Sequence, residues 1–169
     1  MAEESQQTFT FRVPIQLDQQ ARLDIGNRVV DFIRQRTEKG LDKNNRPFKG
    51  YSTSYIESLD FKNAGKSRTV DLQLSGDMLT DLDIISTTTP GFITIGYEAG
   101  TEENNRAAWQ RNNTRPNFPK RDFLGIAQKD LDRIVNRYLA ENPIVTEIDR
   151  QTRKAARSII DRIFGGFGG

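Results

Sequence analysis

The sequence predicts an α+β fold with one mainly antiparallel sheet, a long N-terminal helix and two C-terminal helices. The observations behind this prediction are a polar–apolar alternation near the start, a helical repeat directly after it, and a cluster of short strand patterns followed by further helical repeats. This order lacks the regular alternation of strand and helix that is typical of a doubly wound parallel sheet. We therefore expect the helices to pack beside a single antiparallel sheet.

The first element is a strand within residues 8–17, TFTFRVPIQL. Every second position from Phe9 to Leu17 is apolar, which is the period of a half-buried strand. Pro14 falls on the outward face and cannot donate a ladder hydrogen bond. The strand is therefore expected at an edge of the sheet.

A long amphipathic helix follows within residues 18–39. Asp18 is a suitable N-cap, and Gly40 supplies the stop. Between them, one face at helical spacing carries Ala21, Ile25, Val29, Phe32, Ile33 and Arg36.

The middle of the chain contains short elements. Residues 51–62 favour a short helix, residues 69–75 alternate like a strand, and residues 76–82 favour one or two helical turns capped by Ser75. Two further strands, residues 83–86 and 92–96, flank a turn at Pro90–Gly91 and are expected to pair as a hairpin.

Helical patterns dominate the rest of the chain. We expect a short helix over residues 101–111, then a short strand or extended segment over 122–126, and a helix over 131–139 that ends at Asn142–Pro143. The expected organisation is one α+β domain over residues 1–143, an additional helix within 144–164 and a flexible glycine-rich tail over 165–169.

The composition excludes many catalytic sites. The chain has 169 residues, with no Cys and no His, which removes thiol nucleophiles, imidazole bases, disulfides and nearly every zinc, copper or haem site. The net charge is +2, but residues 115–169 carry 11 basic and 7 acidic groups. No apolar run approaches the roughly 20 residues needed to span a bilayer, so no membrane association is expected.

Two acidic patterns in the sequence are candidates for metal sites. Residues 42–53 begin like a calcium loop but place Pro47 where glycine is required and Thr53 where the closing glutamate belongs. Asp71, Asp77, Asp81 and Asp83 could hold Mg²⁺ or supply an acid and a base, although a solvated face is the more favoured interpretation. We expect no cofactor and no catalytic residue.

Three blocks in order carry a family resemblance: residues 40–55, GLDKNNRPFKGYSTSY; residues 70–79, VDLQLSGDML; and residues 119–126, PKRDFLGI. Together they resemble the tail-completion or virion-morphogenesis proteins of tailed bacteriophages. In that family the patterns D-x-N-G-x-x-F-x-x-Y-S-x-x-Y, V-D-L-x-x-(T/S)-G-x-M-L and R-x-F-L-G recur. This chain has Asn45–Arg46 at the Asn–Gly position, and the helix within residues 144–164 is additional.

The resemblance implies a non-enzymatic structural protein of the virion, made in the host bacterial cytoplasm. Such proteins form rings, commonly of six subunits, in the neck or at the head-proximal end of the tail, where genomic DNA passes. Expected partners are further copies of the chain and neighbouring neck, portal-adaptor, tail-tube or terminator proteins. The residues assigned to interfaces, or to anchoring interface loops, are Phe48, Tyr51, Tyr55, Arg121, Asp122, Phe123 and Leu124.

The PKRDFLG stretch, residues 119–125, allows two interpretations. Phe123 and Leu124 could bury a strand end, with Arg121 and Asp122 paired at the surface, or the stretch could contact a partner directly. For the whole chain, the alternative function is a nucleic-acid-binding module that uses the basic C-terminal helices.

Overall fold

A computed structural model describes residues 5–63, 65, 69, 70, 72, 77–112, 119–143, 150, 151, 154 and 155. It confirms the α+β class: a three-stranded antiparallel sheet with helices. The elements are β1 (Thr8–Arg12), α1 (Gln19–Glu38), α2 (Thr53–Ile56), α3 (Leu59–Asn63), α4 (Asp77–Thr80), β2 (Asp83–Ser86), β3 (Phe92–Gly96), α5 (Glu102–Asn112) and α6 (Gln128–Glu141).

The sheet has the strand order β1-β3-β2, so the N-terminal strand lies at an edge as predicted. Phe11 of β1 pairs with Ile93 of β3, and both point into the core. The β2–β3 hairpin is confirmed, with a register shift between Ile84 and Ser86. β1 is shorter than predicted because the chain turns at Pro14, although Val13 N still donates to Gly91 O at 3.0 Å.

Helix α1 lies between the sheet and α6, because it contacts β2, β3 and α6. Asp18 caps it as predicted, with its carboxylate accepting from Ala21 N at 2.7 Å. Gly40 follows with a φ of 78°, which is the left-handed conformation that favours glycine. The buried face of α1 therefore forms the centre of the core.

Helix α6 closes the other side of α1. Leu131, Val135 and Tyr138 are buried in the common core. At the surface, Arg28 of α1 forms an ion pair with Glu141 of α6 at 2.7 Å. The side-chain contacts thus fix α6 against α1.

The strand predicted for residues 69–75 is wrong for the residues of it that the structure describes. Thr69, Val70 and Leu72 lie outside any strand, and Leu72 has a φ of 57°, which strand backbone does not adopt. Val70 and Leu72 are nevertheless buried. Their alternation therefore reflects burial without a strand, and the rest of the stretch, with the proposed cap Ser75, lies outside the described residues.

Other predictions need smaller adjustments. Residues 51–62 form two short helices, α2 and α3, instead of one. Residues 122–126 form neither a strand nor an extended segment, because the chain bends at Leu124 and Gly125. Residues 150, 151, 154 and 155 are helical, whereas the rest of the predicted final helix and the glycine-rich tail lie outside the described residues.

A candidate protein-protein interface

The PKRDFLG stretch is partly held inside the fold, through its buried residues Arg121 and Phe123 to Gly125. Phe123 and Leu124 are 0% and 1% exposed, and Arg121 N donates to Gln110 O of α5 at 2.8 Å. Burying a side chain such as Phe123 contributes about 2 to 3 kcal/mol. Phe123 and Leu124 therefore anchor this segment and offer no surface to a partner, which favours the first of the two interpretations.

Arg36 of α1 binds the backbone of the same stretch. Its guanidinium donates to the carbonyl oxygens of Phe123 and of Gly125, the latter at 2.9 Å. Burial lowers the pKa of Arg36 to about 10, against the raising effect of the nearby carboxylates of Asp42, Asp130 and Asp122. Arg36 therefore stays protonated at neutral pH and can hold both carbonyl groups.

The loop of the first block packs against this anchored segment. Lys43 N donates to Asp122 O at 2.9 Å, and Lys43 Nζ lies 2.6 Å from the Asp122 carboxylate. Arg111 of α5 reaches the same carboxylate at 3.4 Å. Asp122 is thus paired near the surface, although with Lys43 and Arg111 and not with Arg121 as the sequence suggested.

The turn in this loop depends on one residue whose backbone lies in the left-handed region. Asn45 has a φ of 62°, and the Asp42 carboxylate accepts from the backbone N–H groups of Asn44 and Arg46, each at 2.8 Å. In the pattern D-x-N-G-x-x-F, counted from Asp42, the glycine position corresponds to Asn45. The departure from the pattern is therefore Asn45 in place of glycine, and not Arg46. Asn tolerates the left-handed region better than other non-glycine residues, which preserves the turn.

Behind the loop, three aromatic rings form a cluster. Tyr51, Tyr55 and Phe61 lie with ring centroids 5.3 to 5.5 Å apart. The Arg121 guanidinium lies 5.4 Å from the Tyr51 ring centroid and donates to the Gln110 side-chain oxygen at 3.2 Å. Burial lowers the pKa of Arg121, and the two tyrosines oppose that shift. Blocks one and three of the sequence therefore meet through Arg121 as well as through Lys43.

The rim of this cluster reaches the surface. Tyr51 and Tyr55 are half-buried, Phe61 is buried, and Leu59, which begins α3, is 74% exposed. The three rings, with Leu59 as the exposed apolar residue two positions before Phe61 in the chain, are called the aromatic patch. Phe48 is half-buried and packs against the core beside the patch. Tyrosines with an apolar neighbour and a desolvated arginine beneath them are typical of the energetically important part of protein interfaces.

The seven assigned residues thus divide into two groups. Arg121, Phe123 and Leu124 are buried supports, whereas Phe48, Tyr51, Tyr55 and Asp122 are partly accessible. Sequence reasoning missed Leu59, because a lone leucine in a short helix gives no periodic signal. It placed Arg36 on the apolar helix face but did not find its role, although an arginine at a core position was the available signal.

Of the four acidic residues considered for a metal, the structure describes the side chains of two. Asp81 and Asp83 line one pocket, whereas Asp71 and the side chain of Asp77 lie outside the described residues. Within the part of the chain that is described, no three acidic side chains are arranged to hold a metal ion. No helix there is long and apolar enough to cross a membrane.

Comparison of the chain with protein-family models, with curated proteins and with solved structures finds no significant match.

Proposed function

We propose that the chain is a structural, non-enzymatic protein of a tailed-bacteriophage virion, made in the host cytoplasm, that assembles as a ring in the neck or head-proximal tail. Six subunits are favoured. The three sequence blocks support the family, and the contact between the first and third blocks supports it most. Lys43–Asp122 and Arg121–Tyr51 join them into one unit that carries the aromatic patch.

The proposed role follows from what such a unit offers a neighbour. A ring repeats one heterologous contact, in which a surface of each subunit fits a different surface of the next. The aromatic patch supplies an amphipathic centre for such a contact. Arg121 contacts Tyr51 of the patch, and the next residue, Asp122, forms ion pairs with Lys43 and Arg111. The supports beneath it are buried, so its geometry is fixed before assembly, which lowers the entropic cost of binding.

Charge also suits a ring around passing DNA. The net charge of +2 on 169 residues would hold phosphates less strongly than a concentrated basic lumen. Non-specific and transient contact with the genome is compatible with this balance.

The test uses two samples, the purified chain and purified phage particles, which are measured separately. Native mass spectrometry and negative-stain electron microscopy of the full chain are expected to show closed rings. Mass spectrometry of particles is expected to find the chain, and antibody labelling to place it where head meets tail. A chain that stays monomeric at high concentration and is absent from particles would contradict the proposal.

The nucleic-acid-binding alternative has a different signature. Gel-shift titrations of the full chain with duplex DNA across a salt series should show weak binding if the chain is a ring component. Tight binding that falls steeply with salt would favour the alternative, because counterion release scales with the number of phosphates contacted.

A further inference from the structure

A pocket of about 610 Å³ lies apart from the aromatic patch, beside the starts of β2 and α5. Arg34 of α1 lies at one wall, Asp81 and Asp83 come from the turn into β2, and Tyr97 and Glu98 follow β3. The β2–β3 hairpin brings these distant parts of the sequence together.

The one basic group among the described pocket-lining residues is already occupied. Arg34 donates to the carbonyl oxygens of Leu79, Thr80 and Leu82 at 2.7 to 2.8 Å. Leu79 and Thr80 are the last residues of α4, whose end carbonyl groups such a side chain satisfies, and Leu82 lies just beyond the helix. Arg34 therefore stabilises a helix end and has little capacity left for the pocket.

The acidic groups of the pocket are not neutralised by the described chain. Asp81, Asp83 and Glu98 are exposed and form no ion pair there. The only hydrogen bond to one of these carboxylates within the described residues runs from Ile84 N to Asp83, at 2.7 Å. With one positive charge from Arg34 and three negative charges from these carboxylates, the described pocket-lining residues carry a net charge of −2.

A second and independent observation comes from Tyr97. This side chain is 1% exposed and lines the pocket, and its hydroxyl group has no hydrogen-bond partner among the described residues. Burial raises the pKa of Tyr97, Asp81 and Glu103 raise it further, and Arg34 lowers it. Since buried polar atoms are rarely left unsatisfied, the unused hydroxyl marks a position where a ligand can bond.

The geometry favours an organic cation over a metal ion. In the described part of the chain no three acidic side chains converge as metal ligands would. Carboxylates spread around a roomy pocket instead suit a charge with several N–H donors on an extended stem. We propose that this pocket binds a guanidinium or alkylammonium group, with Asp81, Asp83 and Glu98 accepting its N–H bonds and the Tyr97 oxygen accepting one more.

The cation site is independent of the proposed function, but the inference that a second subunit supplies the cation rests on it. In a ring, one surface of a subunit meets a different surface of the next. Residues 115–169 are the basic part of the chain, with 11 basic and 7 acidic groups. Their side chains on a second copy are the natural complement to an acidic pocket, and a free polyamine would offer the same chemistry.

The site is tested with N-acetyl-arginine amide as the probe and the isosteric neutral N-acetyl-citrulline amide as its control. Saturation-transfer NMR detects weak binding to the full chain whether it is monomeric or assembled. A triple variant, Arg153→Gln with Lys154→Gln and Arg157→Gln, removes three basic side chains of the C-terminal segment and is titrated in parallel. If a neighbouring subunit fills the pocket with one of these side chains, the pocket of the triple variant is empty and open to the probe. We expect the arginine probe to bind the triple variant, and to bind the unchanged chain as well if no neighbouring subunit fills its pocket.

Pocket variants are then made in that background. Asp81→Asn with Asp83→Asn, and separately Tyr97→Phe, should weaken binding several-fold, whereas Glu57→Gln with Asp60→Asn, an equal loss of exposed charge elsewhere, should not. Tyr97→Phe removes an unpartnered hydroxyl and so should leave the fold intact. Equal signals from the citrulline probe, no binding at all, or unchanged binding to the pocket variants would overturn the proposal.

Native mass spectrometry separates the sources and the two proposals. If the pocket variant and the triple variant both shift rings to smaller species, the cation comes from a second copy. If rings persist while the probe still requires the pocket, the cation is free. If the probe binds the pocket but no ring forms, the proposed function is contradicted and the cation site is supported. If rings form but probe binding does not depend on the pocket residues, the cation site is contradicted and the proposed function is supported.

Discussion

Arg36 occupies a helix position at which an apolar side chain is expected, and its surroundings explain why it is an arginine. The segment from Phe123 to Gly125 enters the core without a strand partner, so its carbonyl groups need donors from elsewhere. One guanidinium with several donors satisfies two of these groups at once. The periodicity of the sequence located this side chain on the inner face, but the carbonyl groups it binds lie more than 80 residues away and leave no local signal.

Replacing Arg36 by Met should therefore destabilise the fold more than a usual core substitution. Methionine fits the space but leaves two buried carbonyl groups unbonded, at a cost of roughly 3 kcal/mol or more in unfolding free energy. Arg36→Lys should recover only part, because one ammonium group does not reproduce the fork of two donors. Urea unfolding followed by circular dichroism measures both changes.

Arg46→Met is the matched control for this prediction. Arg46 is exposed, and its hydrogen bonds within the described part of the chain use backbone atoms, so the change should stay within about 0.5 kcal/mol. Equal midpoints for Arg36→Met and Arg46→Met would show that the carbonyl contacts do not stabilise the fold.

Asn45 combines a backbone role and a side-chain role that substitutions can separate. Its amide donates to the buried carboxylate of Asp130 at 2.6 Å, and its φ is positive. Asn45→Gly keeps the turn and loses the bond, whereas Asn45→Ala loses both. We expect a loss of about 1 to 2 kcal/mol for Gly and roughly 1 kcal/mol more for Ala, measured by urea unfolding. An Ala variant as stable as the Gly variant would contradict the backbone role.

At the scale of elements, the sequence was informative wherever a local signal coincided with a tertiary one. Both ends of α1 were predictable from Asp18 and Gly40, because helix capping and left-handed backbone are local properties. The β2–β3 hairpin was predictable because its turn and its alternation lie side by side. Val70 and Leu72 show the opposite case, since burial in an irregular segment gives the same alternation as a strand.

Much of the candidate interface could not be predicted for the same reason. The sequence identified Tyr51, Tyr55 and Arg121 through motif spacing, but the Arg121–Tyr51 contact is a product of the fold. The partners of Asp122 are likewise non-local: Lys43 belongs to the first block and Arg111 to α5. Pairings across that distance are fixed by tertiary packing and carry no pattern in the intervening chain.

The closeness of β1 and β3 makes Gly96 irreplaceable. A Cβ atom added there would lie 2.3 Å from Gln7 O and 2.8 Å from Thr8 Cα, and backbone atoms cannot move aside as a flexible side chain can. Gly96→Ala should displace the edge strand β1 and cost about 2 kcal/mol or more. Gly50→Ala, where nothing lies within 4 Å, is the control. Hydrogen exchange at Phe9 and Phe11, whose amides face β3, should accelerate in the first variant only, and unchanged exchange would contradict the clash.

At the scale of the molecule, α1 organises the fold and its supports converge on one surface. The sheet packs on one side of α1 and α6 on another, while Arg36 at its end fixes the stretch beneath the aromatic patch. Arg121 of that stretch has its guanidinium 5.4 Å from the Tyr51 ring centroid, so the patch is joined to this support. Interface residues on a rigid support lose little conformational entropy on binding, which is what a ring built from a small subunit requires.

Leu59→Glu tests whether this patch forms the contact between subunits. Leu59 is 74% exposed, so a charge there should leave the monomer folded, yet in an assembled contact the carboxylate would be desolvated without a partner. We expect ring dissociation to increase by at least tenfold, measured by native mass spectrometry and sedimentation velocity. Ile15→Glu is the matched control, because Ile15 is 65% exposed and lies beside Gly91, outside the patch. Rings that survive Leu59→Glu but not Ile15→Glu would move the subunit contact to the β1–α1 corner and leave the aromatic patch for a different neighbour.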